Sequence, residues 1–336
     1  MKTILLATDA WTPQVNGVVR TYQYLQEELS ARDVRLHIVS PDGFRTSPCP
    51  TYPEIRLAWV RARDISAAVS ASQAEAIHIA TEGPIGWAAR RWCLKNNHPF
   101  TTCFHTRFPE YISARLPVPV SAGYAVLRRF HNRSAGMLVA TQSLADDLRR
   151  RGFDKGRPWS RGVDTTAYQP RGFRNFGDGP VMLYVGRIAV EKNIEAFLQL
   201  DLPGRKVVVG DGPARQGLET RYPDVLFTGK LAAQPLADAY ASADVFVFPS
   251  RTDTFGIVML EAMASGVPVA AYPVTGPVDV VTEGVTGCLD EDLGRAVLVA
   301  MKLDRNAVRR RAESFSWSIC AEQFLEQIAA ANGWPG

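Results

Sequence analysis

Short apolar runs recur along the whole chain, and segments with apolar residues at helical spacing separate most of them. Runs of this length, rich in Val, Ile, Leu and Phe, are typical of strands buried on both faces of a parallel sheet. In the first half they predict strands at residues 3–8, 34–40, 55–60, 76–80, 100–105 and 137–140. In the second half they predict strands at residues 181–186, 207–209, 225–228, 245–248 and 267–271. Because strands and helices alternate, the expected fold is α/β, with two doubly wound parallel sheets.

The predicted helices lie between these strands, and a further helix ends the chain. One predicted helix begins at residue 18, and the other clear helices cover residues 64–72, 84–96, 143–151, 235–242 and 319–330. Residues 171–180 contain four glycines or prolines and indicate an exposed linker. We therefore expect an N-terminal domain at residues 1–165, a C-terminal domain at residues 166–314 and a terminal helical segment at residues 315–336.

Length and composition exclude several classes of protein. A chain of 336 residues with 46% apolar and 21% charged residues is neither disordered nor fibrous. The apolar run at residues 4–7 is too short for a signal peptide or a spanning helix, which predicts a cytoplasmic protein and leaves peripheral attachment to the inner face of the cell membrane open. The five cysteines are scattered without a C-x-x-C pair, so we expect reduced, buried thiols rather than disulfides or metal ligands.

The net charge of +4 hides an uneven distribution of charge along the chain. Residues 1–160 hold 21 basic against 13 acidic residues, whereas residues 161–336 hold 17 against 21. A basic half is typical of proteins that meet phosphate groups or an anionic surface. Residues 118–136 predict a basic helix that either lies on an anionic membrane or packs its apolar residues into the core, and the sequence leaves both open. The residues concerned are Arg115, Tyr124, Leu127, Arg128, Arg129, Phe130 and Arg133.

A pair of acidic residues marks the stretch at residues 249–279, which directly follows the predicted strand at 245–248. Asp253 and Glu261 bracket the start of a helix whose apolar face includes Leu260 and Met263. In open α/β sheets, ligands bind at the carboxyl ends of the strands, and a helix N-terminus placed there favours an anion. The pair is therefore a candidate ligand site.

Other strand ends carry chemically useful residues. Arg187 and Lys192 follow the strand at 181–186 and suit a diphosphate, although surface ion pairs with neighbouring glutamates are an alternative. The G-D-G-P sequence at residues 210–213 predicts a close backbone approach to a ligand. In the first domain, Gly17 ends the loop after the first strand, and His105 ends the strand at 100–105. An ordinary turn and a structural histidine are the alternatives for these two positions.

The stretch at 249–279 resembles the acidic motif of the retaining GT-B glycosyltransferases, in particular family 4. The resemblance rests on Asp253 and Glu261, on Phe255-Gly256 between them, and on the A-M-A-S-G-V-P-V that follows. G-R at 186–187, E-K-N at 191–193 and R-G-V-D at 161–164 extend it over essentially the whole chain, most strongly over residues 181–281. The first acid of the family motif is usually Glu, so the shorter Asp253 is a departure that bears on the choice of sugar.

The family resemblance implies two Rossmann-like domains that face each other across a cleft, with the terminal helix crossing back to the first domain. It implies that Arg187 and Lys192 stabilise the departing diphosphate, that Asp253 holds hexose hydroxyls and that Glu261 binds the ribose. His105 would contact the sugar. The further donor-binding candidates are Gly17, Gly186, Gly210, Asp211, Lys230, Thr254, Phe255, Gly256 and Ile257. The candidates for contact with an acceptor or a membrane are Arg107, Arg115, Tyr124, Arg128, Arg129 and Arg133.

The choice of donor and acceptor also rests on resemblance. W-T-P-Q-V-N-G-V-V-R-T, H-T-R-F-P-E-Y and D-T-F-G together are similar to bacterial enzymes that glycosylate diacylglycerol and to relatives that use GDP-mannose. We expect a retaining transfer of a hexose from a UDP-hexose to a lipid at a membrane surface. A GDP-mannose-dependent α-mannosyltransferase acting on a glycolipid or glycan is the alternative. Two alternatives of other classes are a sugar-nucleotide epimerase or hydrolase, and a binding protein without catalysis.

The predicted chemistry requires no metal ion and no cofactor. The D-x-D sequence of metal-dependent transferases occurs once in the chain, as D-E-D at residues 290–292, apart from the motifs quoted above. The cationic pair at Arg187 and Lys192 is expected to take the place of a metal ion. The nucleotide sugar is expected as a substrate, and no nucleic acid partner is expected.

Overall fold

The computed structural model describes residues 2–14, 16–49, 52–172 and 174–334. Val15 of the first-loop motif and Phe173 of the predicted linker lie outside the described residues. The chain forms two compact units. Unit 1 comprises residues 1–160 and 317–336, and unit 2 comprises residues 161–316.

Unit 1 alternates strands with helices. Its strands are β1 (Lys2–Ala7), β2 (Val34–Val39), β3 (Thr46–Cys49), β4 (Tyr52–Ala58), β5 (Ala76–Ile79), β6 (Thr101–Phe104), β7 (Gly136–Val139) and β8 (Gly156–Pro158). Its helices up to residue 160 are α1 (Gly17–Ser30), α2 (Ala62–Ser72), α3 (Pro84–Lys95), α4 (Phe108–Ser113), α5 (Val120–His131) and α6 (Gln142–Arg150).

Six of the unit 1 strands form a parallel sheet in the order β2-β1-β5-β6-β7-β8. Every residue of β5, β6 and β7 is buried, as expected for strands covered by helices on both faces. The chain runs outward from β1 to β2 and then returns to β5 on the other side of β1. The switch point of this sheet therefore lies between β1 and β5.

The strand predicted at residues 55–60 does not belong to the parallel sheet, which corrects the sequence-based assignment. It forms part of β4, which pairs antiparallel with β3, an element that the pattern did not indicate. The β4 residue Arg56 is exposed, and its Nε donates to Oγ1 of Thr46 at 3.0 Å. A charged residue on one face suits a hairpin with a solvated side rather than a doubly covered sheet.

Unit 2 repeats the alternation. Its strands are β9 (Val181–Val185), β10 (Arg205–Val209), β11 (Leu226–Gly229), β12 (Val245–Phe248), β13 (Val269–Ala271) and β14 (Gly287–Leu289). Its helices are α7 (Ile194–Leu198), α8 (Arg215–Arg221), α9 (Ala233–Ala241), α10 (Ile257–Ala264), α11 (Pro277–Val280), α12 (Leu293–Ala300) and α13 (Arg305–Ala312). The six strands form a parallel sheet in the order β11-β10-β9-β12-β13-β14, so its switch point lies between β9 and β12.

The last helix, α14 (Trp317–Asn332), packs against α1 and the central strands of unit 1, as expected for this fold. Trp159 Nε1 donates to the carbonyl oxygen of Cys320 at 2.8 Å, and the Phe324 ring lies edge-on against His78 at 5.0 Å. All five cysteines are free thiols, and all but Cys49 are buried. Within the described residues, none of the helices combines the length and the apolar character needed to cross a bilayer.

Candidate active site

Two loops meet at the switch point of unit 2. The β9 loop, residues 186–193, follows β9, and the β12 loop, residues 249–256, follows β12. Because both strands run parallel and are neighbours in the sheet, their carboxyl ends place the two loops side by side. The predicted cationic residues lie on the first loop, and Asp253 lies on the second.

An ion pair and two hydrogen bonds join the two loops. Lys192 Nζ forms an ion pair with Asp253 Oδ1. Asn193 Nδ2 donates to the carbonyl oxygen of Pro249 at 3.1 Å, and Thr252 Oγ1 donates to the carbonyl oxygen of Glu191 at 3.1 Å. The side chains of Lys192 and Asp253 are about one-fifth exposed, so water screens their attraction incompletely. The sequence placed Asp253 and Lys192 in separate motifs, and the structure brings them together.

The G-D-G sequence packs directly on the β9 loop. A Cβ at Gly210 would lie 1.9 Å from the carbonyl oxygen of Gly186, and a Cβ at Gly212 would lie 2.2 Å from that of Ile188. Ile188 N donates to the carbonyl oxygen of Asp211 at 2.9 Å, and this hydrogen bond joins the G-D-G segment to the β9 loop. Both glycines are therefore required by backbone approach, and the loop they form supports the cationic residues.

Helix α10 begins at this edge without a side-chain cap in the described residues. Gly256 is its N-cap with a φ of +87° and makes no side-chain cap bond. A Cβ at Gly256 would lie 2.9 Å from the Phe248 ring, so the turn from β12 into α10 requires glycine. The preceding Phe255 is buried and Thr254 is half-buried. The first amides of α10, beginning at Ile257, have the free N–H groups and the positive dipole end that attract an anion.

The remaining donor-binding candidates of unit 2 differ in exposure. Glu261 is 3% exposed, and its Oε2 accepts a hydrogen bond from the buried Tyr240 hydroxyl at 2.8 Å. Asp211 and Lys230 are exposed at the ends of β10 and β11. In the described part of the chain, no three His, Cys, Asp or Glu side chains are grouped closely enough to hold a metal ion.

In unit 1, His105 directly follows β6 at the carboxyl edge of the sheet, and this half-buried side chain ends a series of hydrogen bonds that leads into the core. Its Nε2 lies 3.1 Å from the Tyr22 hydroxyl, which lies 2.8 Å from Nε2 of His78. His78 Nδ1 lies 2.7 Å from Thr101 Oγ1. A tyrosine hydroxyl has one proton, so it can donate to only one of these ring nitrogens, and at least one of the two histidines must donate to it. The tautomers of the two histidines are therefore linked through the Tyr22 hydroxyl. The sequence reasoning missed this role, because the helical pattern did not distinguish Tyr22 from an ordinary core residue.

Asp9 is a further polar residue at this edge that the sequence reasoning did not single out. It lies at the switch point between β1 and β5 and is 6% exposed. Its carboxylate accepts hydrogen bonds from Ile85 N and Thr81 Oγ1, both at 2.8 Å, and from Gly86 N at 3.3 Å. Burial raises the pKa of Asp9 to about 6, against the lowering effect of these hydrogen bonds. Gly83 leaves room for it, because a Cβ there would lie 2.4 Å from Asp9 Cγ.

Gly17 is the first residue of α1, also at the carboxyl edge of the unit 1 sheet, and it is exposed. The N-cap residue Asn16 accepts hydrogen bonds from Val18 N and Val19 N through Oδ1, both at 3.0 Å. The side-chain cap therefore fixes the turn that brings Gly17 to the edge.

Two of the predicted acceptor or membrane contacts are core residues, which is a correction. Arg107 is 8% exposed, and its Nη1 lies 2.8 Å from Asp147 Oδ2. Tyr124 is 2% exposed, and its hydroxyl donates to Glu110 Oε1 at 2.7 Å. Although burial opposes ionisation, the hydrogen bond and charge of Arg107 hold the pKa of Asp147 below its ordinary value. Both side chains are therefore engaged inside unit 1, Arg107 through its ion pair with Asp147 and Tyr124 as a buried residue of α5.

The arginines at the end of α5 lie at the other edge of the sheet. Because α5 leads into the amino end of β7, Arg128, Arg129 and Arg133 lie near the amino edge, whereas His105 lies at the carboxyl edge. The four residues of β6 span roughly 13 Å between these edges. The three arginines therefore belong to a different surface from His105, while Arg115 precedes α5 and donates to the carbonyl oxygen of Tyr111 at 3.2 Å.

Comparison with known proteins assigns the chain to a family. The family model described as Glycosyltransferase Family 4 matches residues 15–167, and the model described as Glycosyl transferases group 1 matches residues 179–301. A GDP-mannose-dependent alpha-mannosyltransferase of Mycolicibacterium smegmatis is 31% identical over 98% of this chain and 98% of the relative. The chain belongs to glycosyltransferase family 4. It is therefore a glycosyltransferase, and the predicted enzyme class is confirmed.

Other relatives match over most of the chain. Sulfoquinovosyl transferase SQD2 of Arabidopsis thaliana is 29% identical over 94% of this chain and 67% of its own length. Alpha-monoglucosyldiacylglycerol synthase of Streptococcus pneumoniae is 25% identical over 96% of this chain and 83% of the relative. Among solved structures, sucrose-phosphate synthase from Thermosynechococcus elongatus superposes with a TM-score of 0.79 at 21% identity, covering 97% of this chain and 98% of that one. This likeness confirms the predicted GT-B fold class.

Proposed function

We propose that this family 4 enzyme transfers a hexose, with retention of configuration and without a metal ion, from a nucleotide sugar to a lipid acceptor such as diacylglycerol. UDP-hexose is the preferred donor. The observation that carries the proposal is the joining of the β9 and β12 loops, which holds Lys192 against Asp253 beside the uncapped start of α10. Retention of configuration rests on the family resemblance.

Unit 2 provides the groups that a nucleoside diphosphate leaving group needs. Negative charge grows on the diphosphate as the glycosidic bond breaks, and fixed cations and amides stabilise this charge in the transition state. Arg187 and Lys192 supply the cations, and the first amides of α10 supply N–H donors. The Asp253 carboxylate then gives up its ion pair with Lys192 and accepts hydrogen bonds from hydroxyl groups of the hexose. In this proposal the ion pair seen in the structure is a resting arrangement that the donor opens.

Unit 1 provides the acceptor side. The end of α4 and the segment that follows it expose three large apolar side chains, with 38% of Ile112, 46% of Leu116 and 38% of Val118 accessible. Because α5 begins just after this segment and runs toward the amino edge, the segment lies at the same sheet edge as His105. An apolar surface there suits the acyl chains of a lipid or the interface of a membrane. His105 would contact the sugar or the acceptor hydroxyl.

A second candidate is a GDP-mannose-dependent α-mannosyltransferase acting on a glycolipid or glycan. The observation that favours it is the relative of that name at 31% identity over nearly the full length of both chains. The alpha-monoglucosyldiacylglycerol synthase supports the lipid acceptor instead. The two candidates share the diphosphate chemistry of unit 2 and differ in nucleotide, hexose and acceptor.

The deciding experiment offers the purified protein four donors, UDP-glucose, UDP-glucuronate, UDP-galactose and GDP-mannose, with and without diacylglycerol vesicles. Products are identified by mass, and the anomeric configuration is read by NMR. We expect an α-linked glycolipid from one UDP-sugar. A mannosylated product from GDP-mannose alone would replace the preferred donor, and an inverted anomer would overturn retention.

The role of Lys192 is tested separately. Lys192→Ala should lower transfer by about a hundredfold or more, since it removes a cation that acts on the leaving group. Lys302→Ala removes an exposed lysine of the same unit and serves as the control. Equal rates for the two variants would contradict the diphosphate assignment.

A further inference from the structure

A cavity of about 310 Å³ on unit 1 lies outside the residues assigned above to transfer. Both α3 and α5 have their C-terminal halves at the amino edge of the sheet, because each leads into the next parallel strand. The cavity is therefore at the edge opposite His105. Its lining residues are Arg90, Leu94, Arg128, Arg129, Asn132 and Arg133.

Arg90 is held rigidly in this cavity. Its Nε donates to the carbonyl oxygen of Phe130 at 3.0 Å, and its Nη2 donates to that of Arg129 at 2.6 Å. The guanidinium carbon lies 5.2 Å from the centre of the Trp87 ring. Within the described residues, Nη1 of Arg90 makes no hydrogen bond. The backbone contacts thus fix the guanidinium and leave one edge of its donor fork available.

The positive charge of the cavity is not balanced by neighbouring carboxylates. None of the four lining arginines makes an ion pair with any residue that the structure describes, and Arg128 Nη1 donates to the carbonyl oxygen of Arg151 at 3.0 Å. Burial, and then the charges of Arg129 and Arg133, lower the pKa of Arg90. The C-terminal dipole of α5 amounts to about half a negative charge, so it offsets less than one of the four positive charges. Capping of α5 explains Arg90, and the contact with Arg151 engages Arg128, but neither explains Arg129 and Arg133.

We infer that this cavity binds a phosphate group. Guanidinium groups match phosphate oxygens in geometry and retain their charge, which makes arginine clusters typical of phosphate sites. Asn132 lines the cavity, and its Oδ1 is a buried acceptor with no partner among the described residues. A ligand that carries a hydroxyl group next to its phosphate, such as a glycerol phosphate, would satisfy this acceptor. The site binds its ligand independently of the transfer reaction, since it lies at the opposite edge of the sheet.

The phosphate can belong to a free molecule or to a lipid headgroup, and the experiment separates the two sources. One arm titrates glycerol phosphate and inorganic phosphate into the full-length protein by calorimetry. The other measures cosedimentation with phosphatidylcholine vesicles, with and without phosphatidylglycerol. Both arms use the Lys192→Ala background, which removes one of the two cations at the β9 loop. Any phosphate binding that remains there is common to the test and control variants, so the comparison between them does not depend on the proposed function.

The test variant is Arg129→Ser with Arg133→Ser, because both side chains are exposed and their loss does not threaten folding. The control is Arg149→Ser with Arg150→Ser, which changes the net charge equally but removes arginines already paired with Asp146 and Asp147. We expect the test variant to bind phosphate about tenfold or more weakly, and the control to bind as the parent does. Loss of vesicle binding in the same pattern would identify a headgroup as the source, and loss in the free-phosphate arm alone would identify a soluble ligand. Equal loss in both variants would show unspecific charge attraction, and no binding in either arm would overturn the site.

Discussion

Replacing Asp253 with Asn should affect nucleotide binding and catalysis in opposite directions. In the structure, the carboxylate of Asp253 neutralises Lys192, and both side chains are about one-fifth exposed. A diphosphate must draw Lys192 away from this partner before it gains the full attraction of the ammonium group. Asp253→Asn removes the competitor and keeps the shape of the side chain, so nucleoside diphosphate should bind more tightly.

The size of the effect follows from the exposure of the pair. At an effective dielectric constant of 20, two charges in contact attract by about 4 kcal/mol, but exposed pairs contribute about 1 kcal/mol or less when measured. For a pair that is four-fifths covered, about 1–2 kcal/mol is reasonable, which corresponds to roughly five- to thirtyfold tighter binding. Transfer should nevertheless fall by about a hundredfold, because the hexose loses an acceptor aligned in the transition state.

The assay is calorimetric titration of UDP and, in parallel, GDP into both proteins, followed by turnover with the active donor. Glu28→Gln is a matched control, because it neutralises a carboxylate paired with Arg32 at 2.6 Å on a helix of unit 1. The control should change neither quantity. Unchanged or weaker nucleotide binding by Asp253→Asn would refute the view that Lys192 must leave Asp253 to meet the diphosphate.

Two further predictions concern the polar residues at the carboxyl edge of unit 1. Tyr22→Phe removes the hydroxyl that joins His105 to His78. We expect kcat to fall about tenfold while the affinity for nucleotide stays unchanged. A loss of thermal stability without a change in kcat would show that Tyr22 is purely structural. Asp9, whose pKa is raised to about 6 from 3.8, gives stability that is complete below pH 3.8 and lost as the pH rises through 6. Between pH 4 and pH 7 the unfolding free energy of the wild-type protein should therefore fall by up to about 3 kcal/mol more than that of the Asp9→Asn variant. Equal falls for the two proteins, measured by urea titration, would contradict the burial of an ionisable Asp9.

Local patterns predicted most of the parallel sheets. The strand at residues 245–248 has the predicted bounds, because four consecutive apolar residues suit a strand that is covered on both faces. The pairing of β3 with β4 escaped prediction, since β3 is half-exposed and its pairing depends on the partner strand rather than on a run of apolar residues. The basic helix shows the same limit, because spacing alone did not tell that Tyr124 faces the core and that Arg129 faces solvent.

The sequence by itself determined the two α/β units, the strand ends that carry Arg187, Lys192, Asp253 and His105, and the membership of a transferase family. These features depend on local composition and on short motifs, which a single sequence displays. Only the tertiary structure decided that Lys192 pairs with Asp253 and that Tyr22 joins two histidines. It also placed the arginines of α5 at the opposite edge from His105. Such contacts join residues far apart in the chain, and their partners are set by sheet order and helix packing rather than by neighbouring residues.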